Sequence, residues 1–350
     1  MYTKPITILA IESSCDETAA SIIVNGKILS NFIANQTVHE KFGGVVPELA
    51  SRAHMENIVP VVDAALKKAF PENTPTDSLA KLDAIAFTQA PGLIGSLLVG
   101  AQFAKSLALS LDKPLIAVHH MQAHVLANLI DDPKPSFPFL CLTVSGRHTQ
   151  IVRCNSAAEM IILGETIDDA AGEAFDKIAR VMKLGFPGGP AIDAMAKDGS
   201  ATAIDFPRGL TTSNDWQTRP YDFSFSGLKT AVARYLESVP DYVRADVAAS
   251  FQESIVDVLM LKALAACKDS GIDSLVIAGG VAANSRLRAV AAARCEKAGI
   301  ALRIPAPGLC TDNGAMVASL GALMAAAGRA PSPVAFDADS SLPVEVVSLS

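Results

Sequence analysis

The chain has 350 residues, a formal charge of −7, half its residues hydrophobic and few aromatic. That length admits one large two-lobed domain or two domains, the composition suits buried parallel strands covered by Ala-rich helices, and the charge excludes a surface that binds polyanions as a whole. Six cysteines with no CxxC pair exclude a disulfide framework, and neither the apolar run Ile6–Ile11 nor the longest one, Met316–Gly328, reaches the ~20 residues a membrane span needs, so a cytoplasmic protein with no membrane association is expected.

In chain order, "ITILAIESS" reads as a strand ending in polar residues. "AASIIVNGKILSN" reads as a hairpin turning at Asn25-Gly26. "VPELASRAHMENIVPVVDAALKKAF" has helical spacing; "LDAIAFTQAPG" is strand then loop, followed by the helix "SLLVGAQFAKSLALS" and the strand "KPLIAVHH". The plan then starts over. "FLCLTVSGRHTQIVRC" is strand, turn, strand; a long polar, helical middle follows. "IDSLVIAGGVAAN" is a buried strand opening a helix, and "ALRIPAPGLCTDNGAMVASLGALMAA" is a short strand, a loop and an Ala-rich helix. Two rounds of this pattern predict a duplicated α/β architecture with a cleft between the halves. The expected division is 1–118 for the first lobe, with the helix 315–330 packed on it, 119–314 for the second, and a loose tail over 331–350.

Three of the six histidines fall within "HHMQAH". His120 and His124 are four apart, the spacing that puts two side chains on one helix face; His119 points elsewhere. Two imidazoles make a weak metal site and call for a third ligand. The candidate is Asp312, in a polar loop that opens an Ala-rich helix, where the ordinary alternative is an N-cap. Met121 stands where a zinc protease needs a glutamate, so that chemistry is excluded. Two imidazoles and one carboxylate suit iron(II) or zinc and leave positions open for substrate.

The remaining polar turns sit where open α/β sheets bind ligands. "ESSCDETAA" crowds Glu12, Asp16 and Glu17. In "VSGRHTQ", Ser145 and Gly146 offer a hydroxyl and backbone N–H groups to a phosphate. "AGGVAAN" places Gly279-Gly280 before a helix N-terminus, a natural anion contact. Asp176 and Asp193 are suited to accept from ribose hydroxyls. "FSFSGLKT", Phe223–Thr230, supports no assignment on its own. Arg286, Arg288 and Arg294 cluster on one stretch, which a solvated helix face explains equally well.

Taken together, "ESSCDETAA", "VPELASRAHMENI", "PGLIGSLLVG", "HHMQAH", "VSGRHTQ", "GEAFDK", "PGGP", "FSFSGLK", "AGGVAAN" and "CTDNGAM", in that order over roughly residues 5–328, resemble the TsaD family (formerly Gcp). The resemblance implies an actin/Hsp70/sugar-kinase-like α/β fold, two ribonuclease-H-like lobes around a nucleotide cleft. It implies a tRNA N(6)-adenosine threonylcarbamoyltransferase that takes threonylcarbamoyl-adenylate and acts on the adenosine 3′ of the anticodon in tRNAs reading A-starting codons. The implied partners are the TsaB paralogue, docked through an apolar helix of the first half, and the TsaE ATPase. The implied cofactor is one divalent metal ion per subunit, Fe(2+) or Zn(2+), on His120, His124 and Asp312. Val144, Ser145, Gly146, Arg147, His148, Asp176, Gly189, Asp193 and Asn284 match the adenylate-binding set, and Glu12 and Asp16 are the residues expected to order the site or accept the amine proton. Arg147 departs from the family, which carries a second glycine there. If that position needs φ > 0, the side chain costs on the order of 1 kcal/mol; otherwise it adds a cation near the phosphate or narrows the pocket. The rival expectation is an ATP-hydrolysing protein of the same fold, a kinase or chaperone type, against which the histidine pair argues.

Overall fold

Strands β1 (Thr7–Glu12), β2 (Glu17–Val24) and β3 (Lys27–Asn35) form an antiparallel meander, β2 and β3 turning at Asn25-Gly26 with φ of 52° and 81°. Both turn residues take the positive φ that a two-residue hairpin turn of this kind requires. Then come α1 (Pro47–Ala69), α2 (Pro75–Ala80), β4 (Ala84–Ala90), α3 (Ile94–Leu111), β5 (Leu115–His119) and α4 (His120–Leu126). β4 pairs parallel to β1, and β5 parallel to β4, giving the sheet order β3-β2-β1-β4-β5. The computed structural model describes residues 6–335 and 337–346.

The second round repeats the first. β6 (Phe139–Val144), β7 (Thr149–Cys154) and β8 (Met160–Glu165) are antiparallel. Helices α5 (Ala171–Val181), α6 (Gly188–Ala196), α7 (Ser213–Thr218), α8 (Ser226–Ser238) and α9 (Arg244–Ser270) follow. β9 (Ser274–Ala278) pairs parallel to β6, and after α10 (Ser285–Ala298), β10 (Ala301–Arg303) pairs parallel to β9. The order β10-β9-β6-β7-β8 is that of the first sheet with each strand replaced by its counterpart. The last helix is α11 (Gly314–Ala326).

The chain divides into two units, one drawn from Met1–Lys134, Ala157–Glu159 and Thr311–Ser350, the other from Pro135–Ser156 and Met160–Cys310. The divisions therefore fall after 134 and 310 rather than at the expected 118 and 314, because the histidine helix α4 packs against α11 and the first sheet. Burial of Leu9, Ile11, Ile22, Phe87, Ala101 and Ala104 between that sheet and α1 and α3 makes one core. The other is built around α9, whose Phe251 is fully buried and meets Phe175 edge-on at 5.4 Å.

Two further features differ from expectation. α3 is an 18-residue helix long and apolar enough, by length and composition alone, to cross a membrane; its Ala101, Ala104 and Ala108 are buried in the first core. The segment after residue 330, expected to be loose, is tied to β5 and α4 by hydrogen bonds through Ser332, Leu342 and Val344. Residues 336 and 347–350 of that stretch, and 1–5 of the first lobe, lie outside the described residues.

Candidate metal centre and adenylate turns

Because β1, β4 and β5 run parallel, their carboxyl ends share one edge of the sheet, and Glu12, Thr88 and the start of α4 come together there. Glu12 is fully buried. Its Oε2 accepts from Thr88 Oγ1 at 2.5 Å and from His120 Nδ1 at 3.2 Å, and its Oε1 accepts from the Ser14 N–H at 2.6 Å. With Nδ1 donating, the neutral His120 ring has its lone pair on Nε2, which faces Asp312 Oδ1 at 3.5 Å. His124 Nε2 lies 2.9 Å from the same oxygen. The two rings are perpendicular, with centroids 4.6 Å apart.

Asp312 reaches this place because α11 lies against β2. At Gly314 a Cβ would stand 2.7 Å from the Ala20 carbonyl carbon and the Ser21 nitrogen, so only glycine permits the approach. The N-cap alternative goes to its neighbour: Asn313 Oδ1 accepts from the Met316 N–H at 3.0 Å, which leaves the Asp312 carboxylate to the histidines. His119 also caps, accepting from the Gln122 N–H at the start of α4, and burial pushes its pKa down to about 4.

The residues fit a bound cation. The ligand atoms of His120, His124 and Asp312 lie within 4.8 Å of one another. His124 Nδ1 is buried with no protein hydrogen-bond partner, and buried polar atoms left so are rare. Burial, and the negative charges of Asp312, Asp16 and Glu12, push the Glu17 carboxyl well above its ordinary range, a crowding that positive charge would relieve. Burial would also raise Glu12, but the adjacent His120, which donates to it, holds it below the usual range. The carboxylate–imidazole contact from Glu12 is the arrangement that orients metal-bound histidines. Thr88, Ser14 and His54 were not foreseen. His54 accepts from Thr18 Oγ1 at 2.7 Å and donates to the Cys15 carbonyl at 3.0 Å, bracing the turn that carries Asp16.

The second unit brings most of the expected adenylate residues into one region. Val144 ends β6, and the Ser145 hydroxyl accepts from the N–H groups of Arg147 (3.3 Å) and His148 (3.0 Å). Arg147 has no positive φ, so the strain that a positive φ would have brought does not arise, and its side chain is exposed. Gly172, at the start of α5, donates to the Ser145 carbonyl at 3.2 Å, and Gly279 packs on Val144. Asp176 accepts from the Gly188 N–H at 2.7 Å, and Asp193 from Ser285 Oγ at 2.8 Å. Gly146, Gly189 and Gly280 have open space where a Cβ would stand. Asn284 is the N-cap of α10, accepting from Leu287 N at 2.9 Å and donating to Gln252 at 2.7 Å. Of the arginine cluster, Arg286 is bidentate to Glu253, Arg294 pairs with Asp257, and Arg288 donates to the Ala282 and Pro305 carbonyls, so these charges are engaged within the unit.

The unassigned stretch "FSFSGLKT" has a role in the same unit. α8 begins without a side-chain cap of its own. Asp168 supplies one: it accepts from the Phe225 N–H (2.8 Å), the Ser226 N–H (3.2 Å) and the hydroxyls of Ser224 (2.5 Å) and Ser226 (2.7 Å). Loss of solvent alone would raise the Asp168 carboxyl; the Ser224 and Ser226 hydroxyls and the two N–H groups more than offset this and lower it. Asp168→Ala is expected to cost about 1–2 kcal/mol at neutral pH, the worth of a cap. A group with a depressed folded pKa stabilises above its unfolded pKa and loses that contribution as pH falls through the folded one. The gap between wild-type and variant unfolding midpoints should therefore close below the ordinary value of 3.8. A gap that stays open well below that acidity would remove the charge from the explanation.

A family model described as TsaD, tRNA N6-adenosine threonylcarbamoyltransferase, matches residues 27–319. Among solved structures, T. kodakarensis HypF is similar at 13% identity and a TM-score of 0.59, over 92% of this chain and 47% of that one. A full-length HypF in its phosphate- and nucleotide-bound form gives 14% and 0.56, over 90% and 45%. The activator of 2-hydroxyisocaproyl-CoA dehydratase from Clostridium difficile with bound ADPNP gives 14% and 0.53, over 92% and 96%. The chain spans less than half the length of the two HypF chains. These likenesses bear out the fold expected from the sequence, the actin/Hsp70/sugar-kinase architecture with two ribonuclease-H-like lobes.

Proposed function

The chain belongs to the TsaD family of tRNA N6-adenosine threonylcarbamoyltransferases, and from that membership we propose that it moves the threonylcarbamoyl group of threonylcarbamoyl-adenylate to the adenosine 3′ of the anticodon in tRNAs reading A-starting codons. The observation that carries the reading is the convergence of His120, His124 and Asp312 beside a buried glutamate. The solved structures of like fold with a bound nucleotide, a HypF and the dehydratase activator with ADPNP, support a nucleotide site here as well.

The chemistry needs little from the protein beyond placement. The carbamoyl carbon of a mixed anhydride with AMP is already activated. The adenosine N6 attacks it, the bond from carbon to the phosphate oxygen breaks, AMP leaves with the electron pair, and the amine gives up a proton. Positioning and charge stabilisation carry the rate. In this reading the Ser145–His148 turn and Arg147 hold the phosphate, Asp176 and Asp193 accept from the ribose, and Gly189 leaves room for the nucleotide. Asn284 acts through the helix N-terminus it caps. Glu12 orders His120, and Asp16, partly exposed, takes the amine proton. His120, His124 and Asp312 would hold a divalent ion, iron(II) or zinc, which would supply positive charge against charge developing in the transition state. TsaB and TsaE are the partners, and the cytoplasm is the compartment.

The test is incubation with threonylcarbamoyl-adenylate and unmodified tRNA, with and without TsaB and TsaE, followed by mass detection of modified adenosine. No modified adenosine with both partners present would overturn the reading. Arg147→Gly is expected to weaken adenylate affinity about 2–5-fold, the worth of one exposed charge; unchanged affinity would mean that the guanidinium does not touch the phosphate.

A further inference from the structure

The segment after α11 runs back along the edge strand of the first sheet. Ser332 N donates to the Leu115 carbonyl at 2.7 Å, and its Oγ accepts from the Ala117 N–H at 3.0 Å. These contacts satisfy backbone groups that an edge strand leaves open. Farther on, Gln89 Nε2 donates to the Asp337 carbonyl and the Asp339 N–H donates to the Gln89 carbonyl, both at 3.2 Å. The segment then reaches the histidine helix. His119 Nε2 donates to the Leu342 carbonyl at 2.9 Å, Gln122 Nε2 donates to the Val344 carbonyl at 3.0 Å, and Val344 is buried.

Helix α4 needs such support. It has seven residues and follows β5 with no intervening loop. A helix so short is not stable by itself in water. Its N-cap is His119, whose Nδ1 accepts from the Gln122 N–H at 3.4 Å. A neutral imidazole with its lone pair on Nδ1 carries its proton on Nε2, and the Leu342 carbonyl accepts a hydrogen bond from that N–H. The tail carbonyl thus selects the tautomer in which His119 can cap. His119 precedes His120 directly.

We propose that the contacts made by Ser332, Asp337, Asp339, Leu342 and Val344 act as a strap that holds the His120/His124 pair in its ligating arrangement, with His119 as the positioning residue through which it acts. This rests on reading His120, His124 and Asp312 as metal ligands. It adds that the geometry of the pair is set by the segment after α11, through its bonds to His119 and Gln122.

The experiment uses the 350-residue protein beside two variants: a chain ending at Ser341, and His119→Phe, which keeps the bulk and loses both ring nitrogens. Zinc affinity is read by competition with a chromophoric chelator, and backbone amide exchange over 120–126 is read without metal. Both variants should bind zinc about 10–100-fold more weakly, the usual effect of losing an orienting partner. Exchange over 120–126 should accelerate while β1 and β4 stay protected, a pattern that general loss of stability would not produce. Wild-type zinc affinity and wild-type exchange in both variants would overturn the strap. If His119→Phe does not fold, the shortened chain, which leaves β5 and α4 unaltered, decides. If the unaltered protein itself fails to bind zinc or iron(II), the metal reading falls. Exchange over 120–126 then judges the strap alone: unchanged exchange sinks it, faster exchange sustains it.

Discussion

His124→Ala is expected to abolish metal binding and to lower threonylcarbamoyl transfer by about 10³-fold or more, since the charge stabilisation a metal supplies is worth several kcal/mol. The loss follows from geometry. His124 Nε2 and Asp312 Oδ1 are 2.9 Å apart, and one imidazole with one carboxylate makes a poor site. His120→Ala should cost the same activity and more stability. Its Nδ1 donates to Glu12, a carboxylate with no exposure, and removing the donor leaves that group short of a partner, at about 1–3 kcal/mol. Metal titration, unfolding in the presence of chelator, and mass detection of modified tRNA separate the two effects. Native transfer by a His120→Ala/His124→Ala protein, with TsaB and TsaE present, would dispose of the metal role.

Gly279→Ala should destabilise the second unit by about 2–4 kcal/mol. Gly279 sits at φ 89° and ψ 166°, a region that side chains other than hydrogen enter at a cost of about 1–3 kcal/mol. An added Cβ would also stand 2.5 Å from the Val144 carbonyl oxygen and 2.9 Å from its carbon, an overlap of backbone that cannot rotate away. Because β6 and β9 are parallel neighbours, the push lands at the residue that opens the Ser145–His148 turn. Adenylate affinity should therefore fall with stability. Gly280→Ala is the control: its Cβ would meet nothing within 4 Å, and its effect on unfolding should be small. Equal effects at the two positions would contradict the overlap argument.

Much of the fold is legible in the sequence alone. Alternation and turn chemistry are local, so the β2–β3 hairpin with its Asn25-Gly26 turn, and the second round beginning at β6, could be read directly from neighbouring residues. The spacing of His120 and His124 is likewise a property of one helix face, and Glu12 at a strand end was visible as a candidate. What Glu12 does there was not. Its partners Thr88 and His120 lie 76 and 108 residues away and meet it only because three parallel strands end at one edge.

The sequence by itself determined which side chains could ligate, which turns needed glycine, and that a strand–turn–strand plan occurs twice, because each of these depends on residues within a few positions of one another. Only the tertiary structure decided that Asn313 rather than Asp312 caps α11, that α4 packs with the first unit, and that the tail ties to His119 and Gln122. Those outcomes turn on contacts between segments about two hundred residues apart, such as the 188 that separate His124 from Asp312. Packing of α11 against β2 selects them, and no short-range pattern of polarity encodes which of two adjacent polar residues will face inward.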